Sequence, residues 1–147
     1  MPRLVELSRQ SLAELRSQDR GGSVFVAREG RAEPVEESLG QEVRDPGCIV
    51  VVGTIDEVVV GYATGRVEAL RDGTLLGVID DLFVEPDARA VGVGEAMMDQ
   101  LLAWFRQRGC SGVDSTALPG LRETKNFFEE SGFSARLLVM HHRMRPE

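Results

Sequence analysis

This chain of 147 residues is poor in the side chains that most often announce a chemistry. It holds only two cysteines, Cys48 and Cys110, with no Cys-x-x-Cys pair and no histidine close by in sequence, which excludes the usual zinc spacing and a disulfide framework. We read both as reduced, structural thiols. Histidine occurs only as the adjacent pair His141-His142, and strand neighbours point to opposite faces, so the two cannot jointly chelate one ion. Tyr62 is the single tyrosine; it lies in the middle of an apolar run and reads as core or substrate wall rather than as an acid. No apolar run approaches a membrane span, and MPRLVELSRQ lacks the apolar centre of a secretory signal, so the expected setting is cytoplasmic, away from membranes. Basic residues are outnumbered 17 to 24, a formal charge of -7 that repels nucleic acid and favours a cationic substrate.

What is present fits one domain over residues 1–147, with 42% hydrophobic and 28% charged residues. Residues 4–7 alternate weakly and suggest a short edge strand, and Ser11-x-x-Glu14 fits a capping box for a helix carrying Leu12 and Leu15. Residues 18–31 show no decisive pattern. An acidic helix is expected over 32–42, with Val35, Leu39 and Val43 as a thin apolar stripe. Then β-branched runs take over: 48–52 and 58–63 flank a TIDE hairpin, and Asp72-Gly73 closes a second hairpin onto 74–84. Residues 92–108 place Val93, Met97, Leu101, Trp104 and Phe105 on one helical face, and Gly109 ends that helix. A short strand at 113–118, a helix at 121–131 stopped by Gly132, and one or two closing strands over 133–144 complete the pattern.

The most informative stretch is Arg89-Ala90-Val91-Gly92-Val93-Gly94, between the strand pattern ending at Val84 and the helix pattern from Glu95. Glycines let the backbone approach an anion, and the unpaired amides of a first helical turn point at it. The plain alternative is a tight strand-to-helix turn. A dinucleotide fingerprint is a second rival, but it needs a parallel strand-helix-strand unit, and hairpin-linked strands precede this loop.

The spacing Arg-x-x-Gly-x-Gly after DLFVEPDA resembles the acetyl-CoA pyrophosphate loop of the GNAT N-acetyltransferase superfamily. Asn126-Phe127-Phe128-Glu129-Glu130-Ser131-Gly132-Phe133 resembles the same family's second signature, and the resemblance covers roughly residues 48–144. It implies an α/β fold with a mixed, mostly antiparallel sheet, flanking helices and a splayed cleft between the fourth and fifth strands. It also implies acetyl-CoA as acyl donor, held by the backbone of Leu82, Phe83 and Val84, by Arg89 and by the amides of Val91, Gly92, Val93, Gly94 and Glu95. Lys125, Asn126 and Phe128 fall on the helix that lines the coenzyme in that family, although Leu121 stands where many members carry an asparagine. Small members are often homodimers.

Asp80-Asp81 stands in an otherwise apolar strand, where two carboxylates cost desolvation unless wet or paired. Alternation sends them to opposite faces, so at least one is expected to reach the cleft or a cationic partner. The run IDDLFV resembles the acidic strand of diamine acetyltransferases, which makes Asp80 or Asp81 a candidate for holding or deprotonating an amine; a solvated strand end or a structural ion pair is the other reading. The family's usual proton donor is a tyrosine in the second signature, and this chain has Phe128 there. Three readings stay open. Ser115, Thr116, Cys110, His141 or His142 donates instead; the thiolate leaves unassisted, its ordinary pKa being about 8.5; or the chain binds acetyl-CoA without turnover. No activated nucleophile is in evidence, so transfer to a small-molecule or protein amine is expected to be direct.

Overall fold

The computed structural model describes residues 1–144. The chain opens not with a strand but with helix α1 (Pro2–Arg16), in which Pro2 presets the first turn and Val5, Ser8 and Leu12 recur on one buried face. The weak alternation at 4–7 is the start of that longer 3.6-residue period, and Ser11 and Glu14 lie inside the helix rather than at its cap. Residues 18–31, unreadable in sequence, contain α2 (Gly22–Arg28). Gly22 is required there, because a Cβ would stand 2.3 Å from the Leu15 carbonyl oxygen where α2 folds back under the end of α1. Helix α3 (Val35–Arg44) begins three residues later than expected, since Pro34 takes an extended conformation and serves as its N-cap.

Strands β1 (Cys48–Ile55), β2 (Val58–Ala69) and β3 (Leu75–Val84) form an antiparallel meander, and β4 (Gly112–Ser115) adds parallel to β3, giving the order β1-β2-β3-β4. The first turn is the residue pair Asp56-Glu57, both left-handed, with φ of 48° and 69°; Gly73, with φ of 87°, closes the second. Between β3 and β4 run a 3-10 turn (Pro86–Ala88) and helix α4 (Val93–Gln107), and α5 (Arg122–Glu130) follows β4.

Each sheet face carries its own core. Val93, Met97, Met98, Leu101 and Phe105 of α4 pack on Val51, Ala63 and Ile79, together with Phe128. On the other face α1 and α3 bring Val5, Leu7, Leu12, Val35 and Leu39 onto Tyr62 and Phe83. No helix among the described residues is long and apolar enough to cross a membrane.

The expected strands over 133–144 do not form among the described residues. A strand needs a neighbour to take up its backbone groups. Here the stretch meets β4 through a side-chain fork instead, Arg136 on Asp114, with Nε 2.9 and 3.0 Å from the two carboxylate oxygens. Leu137, Leu138, Val139 and Met140 are exposed.

Candidate active site

Register places the site. β3 pairs with β4 only from Leu76 to Ile79, opposite Gly112 to Ser115, and beyond that point the two strands part. The cleft therefore opens between the third and fourth strands rather than the fourth and fifth, because the segment expected as a first strand is α1. Leu82, Phe83 and Val84 keep β2 on one edge and present an unpaired edge to the cleft. Ser115, the last residue of β4, stands beside its mouth.

The loop beyond β3 is shaped for an anion. Ala90 and Gly92 are left-handed, with φ of 67° and 91°, and Gly92 caps α4 by accepting from the Ala96 amide at 3.1 Å. The amides of Val93, Gly94 and Glu95 then have no helical carbonyl behind them, and the positive end of a 15-residue helix lies with them. Nothing lies within 4 Å of a Cβ built at Gly92, so the cradle is bare on that side. Val91 is exposed and Val93 is buried in the α4 core. A Cβ at Gly94 would touch the Phe127 ring at 3.2 Å, which shows how closely α5 approaches the first turn of α4. Lys125 and Asn126 are exposed on α5, whereas Phe128 is buried edge-on against Phe127 and Phe133. Arg89 is less free than its sequence position suggests: Nε donates to the Val84 carbonyl at 2.7 Å and Nη2 pairs with Glu14 of α1 at 2.9 Å.

The acidic pair departs from simple alternation. Thr64 of β2 lies opposite Asp81 and Gly65 opposite Ile79, so Asp80 is the extra residue of a β-bulge. Before the bulge Gly77 and Ile79 face α4; after it Leu82 and Val84 do. Asp80 and Asp81 consequently share the opposite face, correcting the expectation that they diverge: Asp80 pairs with Arg66 and Asp81 with Thr64, two residues apart on the same side of β2. Helix α4, which the loop opens, and the two carboxylates thus lie on opposite faces of the sheet.

Their surroundings differ. Asp80 is 36% exposed, and Arg66, which pairs with it through Nε at 3.1 Å, is shared with Glu68. Desolvation lifts the Asp80 carboxyl and Arg66 lowers it, but Asp81 and Glu42 push it up again, leaving it above the ordinary carboxylate range. Asp81 is nearly buried and held by Arg31, a residue no sequence pattern singled out. Arg31 is 3% exposed; it pairs with Glu42 of α3 and Asp81 of β3, and its Nη2 donates to Thr64 Oγ1 at 3.2 Å. Burial opposes its charge, but hydrogen bonds to Glu42 and Asp81 outweigh this and hold the guanidinium more firmly protonated than usual.

The other proton donors are placed less favourably. Burial, then the charge of Asp81, raises the Tyr62 phenol, whose hydroxyl lies fully buried against Ser8 and Arg31 without a well-formed hydrogen bond among the described residues. Burial also raises the thiols of Cys48 and Cys110, neither of which is bridged. His141 and His142 lie exposed in the irregular 133–144 stretch. Two surface cavities of about 490 Å³ lie under α2 and beside the Asp56 turn, away from the splay; Arg31 alone of the site lines one. The space between the parting strands is an open groove rather than a cavity.

Comparison with known proteins agrees with this geometry. Residues 9–133 match the model of the Acetyltransferase (GNAT) family. The chain is 28% identical over 103 residues to a mycothiol acetyltransferase of Propionibacterium freudenreichii, covering 70% of this chain but 33% of that protein. It is 29% identical over 93 residues to a glucosamine 6-phosphate N-acetyltransferase of Trypanosoma brucei brucei, covering 56% of this chain and 61% of the relative. This chain thus matches only part of each relative's length. In fold it is similar to AAC(6')-Iy, solved in complex with the bisubstrate analogue CoA-S-monomethyl-acetylneamine, at a TM-score of 0.66 and 19% identity over 78% of this chain and 83% of that one. With the loop, the splay and the family model in agreement, the chain belongs to the GNAT acetyltransferase family.

Proposed function

We propose that this protein is an N-acetyltransferase that moves the acetyl group of acetyl-CoA to a primary amine in one ternary complex. The observation that carries this reading is the parting of β3 and β4 after Ile79 and Ser115, with a bare amide cradle at the start of α4 and two carboxylates on the opposite face of the sheet. Relatives named mycothiol acetyltransferase and glucosamine 6-phosphate N-acetyltransferase, and a fold relative solved with a bisubstrate CoA analogue, support it.

The residues present fit the coenzyme. The amides of Val93, Gly94 and Glu95, with the turn at Val91 and Gly92, would hold its diphosphate; the open backbone edge of Leu82, Phe83 and Val84 would run along its arm, with Lys125 and Asn126 nearby on α5. Acetyl-CoA supplies an activated acyl carbon and a thiolate leaving group. Asp80 meets an incoming ammonium first as a counter-charge, then takes a proton from it so that nitrogen can attack. The new C–N bond forms as the C–S bond breaks. Ser115, beside the parting point, is the hydroxyl that would return a proton to sulfur. A small cationic acceptor suits the acidic face. We place the protein in the cytoplasm, which its unbridged cysteines support, and as a homodimer to which the exposed run 137–140 would contribute apolar surface.

A thiol-release assay with acetyl-CoA across a panel of amines tests the proposal. We expect turnover with at least one cationic amine and its loss in Gly92→Asp, which forces a Cβ onto a left-handed backbone and a negative charge into the cradle. Phe128 favours a second reading, a binding module without turnover, since no hydroxyl stands at that place. Binding of acetyl-CoA with no release for any amine, and turnover appearing only in Phe128→Tyr, would select it.

A further inference from the structure

We propose that Arg31 is a positioning residue for the acceptor side: by taking up Asp81 and Glu42, it leaves Asp80 as the carboxylate of the bulge that receives the amine and its proton. This rests on the acetyltransferase reading above and assigns different tasks to two acids that sequence treats alike.

Three carboxylates, Glu42 from α3 and Asp80 and Asp81 from β3, converge on one face of the sheet. Left alone they would share protons and compete for a cation. Arg31 settles the competition by geometry. Its Nη1 donates to Ser38 Oγ at 3.1 Å and to Glu42, and its Nη2 to Glu42 Oε1 at 3.0 Å, to Thr64 and to Asp81. Asp81 Oδ2 also accepts from the Thr64 hydroxyl at 2.6 Å, so that oxygen is committed, and the side chain is 11% exposed. An ion pair at that depth does not exchange cheaply, because either charge left alone is stranded.

Asp80 is held quite differently. Around it stand Arg66 and Glu68 of β2, Asp81 of β3, Glu42 of α3, and the Cys48 thiol of β1 opposite Arg66. Arg66 is 44% exposed and divides its guanidinium between two acids, a surface contact of small energy that an ammonium can displace. Of the two acids of the bulge, a substrate amine entering this face therefore meets Asp80 as the accessible one.

The test compares Asp80→Asn, Asp81→Asn, Arg31→Lys, Arg31→Met and the pair Arg31→Met with Asp81→Asn. The readouts are the pH profile of acetyl transfer, KM for the amine, and titration of the Asp80 carboxyl by carbon NMR without substrate. Asp80→Asn should lower kcat by about 100-fold and abolish the acid limb. Asp81→Asn should keep that limb. Arg31→Met should move both the limb and the Asp80 titration to higher pH, with Arg31→Lys falling between, and the paired variant should return toward the parent because the charge Arg31 neutralised is gone. An Asp80 titration unmoved in Arg31→Lys and Arg31→Met, with only the melting temperature lowered, would reduce Arg31 to a structural tie and overturn the proposal. So would an acid limb that follows Asp81. If Arg31→Met does not fold, Arg31→Lys and Asp81→Asn decide. Failure of the parent to acetylate any amine would instead defeat the acetyltransferase reading, a result the substrate-free titration keeps separate.

Discussion

Asp80 and Asp81 are chemically identical, and the difference between them is entirely one of surroundings. A carboxyl lifted above its ordinary range is a better base near neutrality and a worse contributor to stability there. Because the folded value exceeds the unfolded one, the stabilising contribution of Asp80 is present at acid pH and lost as pH rises through the folded value. Asp80→Asn should therefore raise the melting temperature at neutral pH, with the gain shrinking in acid. Arg66→Ala removes a cation that lowers this carboxyl, so the acid limb of kcat/KM should move to higher pH. A limb moving down in that variant, or a melting gain that grows in acid, would contradict the assignment. Sequence alternation set the two acids on opposite faces, and the bulge at Asp80 turns them to one. Arg31 went unseen, because 18–31 has no period and nothing local tells an arginine that it will be buried against β3.

Elements were legible to the extent that local backbone rules make them. The helix after the loop, its Gly92 start and Gly109 stop, the Asp72-Gly73 turn and the stripe through Val93, Met97, Leu101 and Phe105 all follow from short-range sterics and a 3.6-residue period, and they stand within a residue or two of expectation. Strand identity at both chain ends was not legible. Residues 4–7 alternate within a helix, and 133–144 carry strand-like residues without a paired edge. Strand glycines play a role only packing reveals: a Cβ at Gly77 would lie 2.6 Å from the Phe105 ring, and one at Gly65 2.7 Å. Gly77→Ala should lower unfolding free energy by about 1–3 kcal/mol in urea titration, and Phe105→Leu on that background should recover part of the loss. An unchanged midpoint in Gly77→Ala would show that the α4 layer is looser than described.

For the whole molecule, the relevant quantity is the sign of its field. A formal charge of -7 raises the local concentration of cations, while the diphosphate of the proposed coenzyme would bind against it where helix α4 offers a positive end. Raising ionic strength should increase KM for a cationic acceptor and leave KM for an uncharged amine nearly unchanged, measured at saturating acetyl-CoA. Equal salt dependence for both would remove the argument for a cationic acceptor. The family was readable from two short signatures, because the backbone geometry that grips a diphosphate requires glycine at particular positions within six residues. Sequence alone thus determined the loop, the helix it opens and the membership these carry. Tertiary structure alone decided that a bulge turns both acids to one face and that Arg31 occupies one of them, since register and burial arise from contacts between segments tens of residues apart.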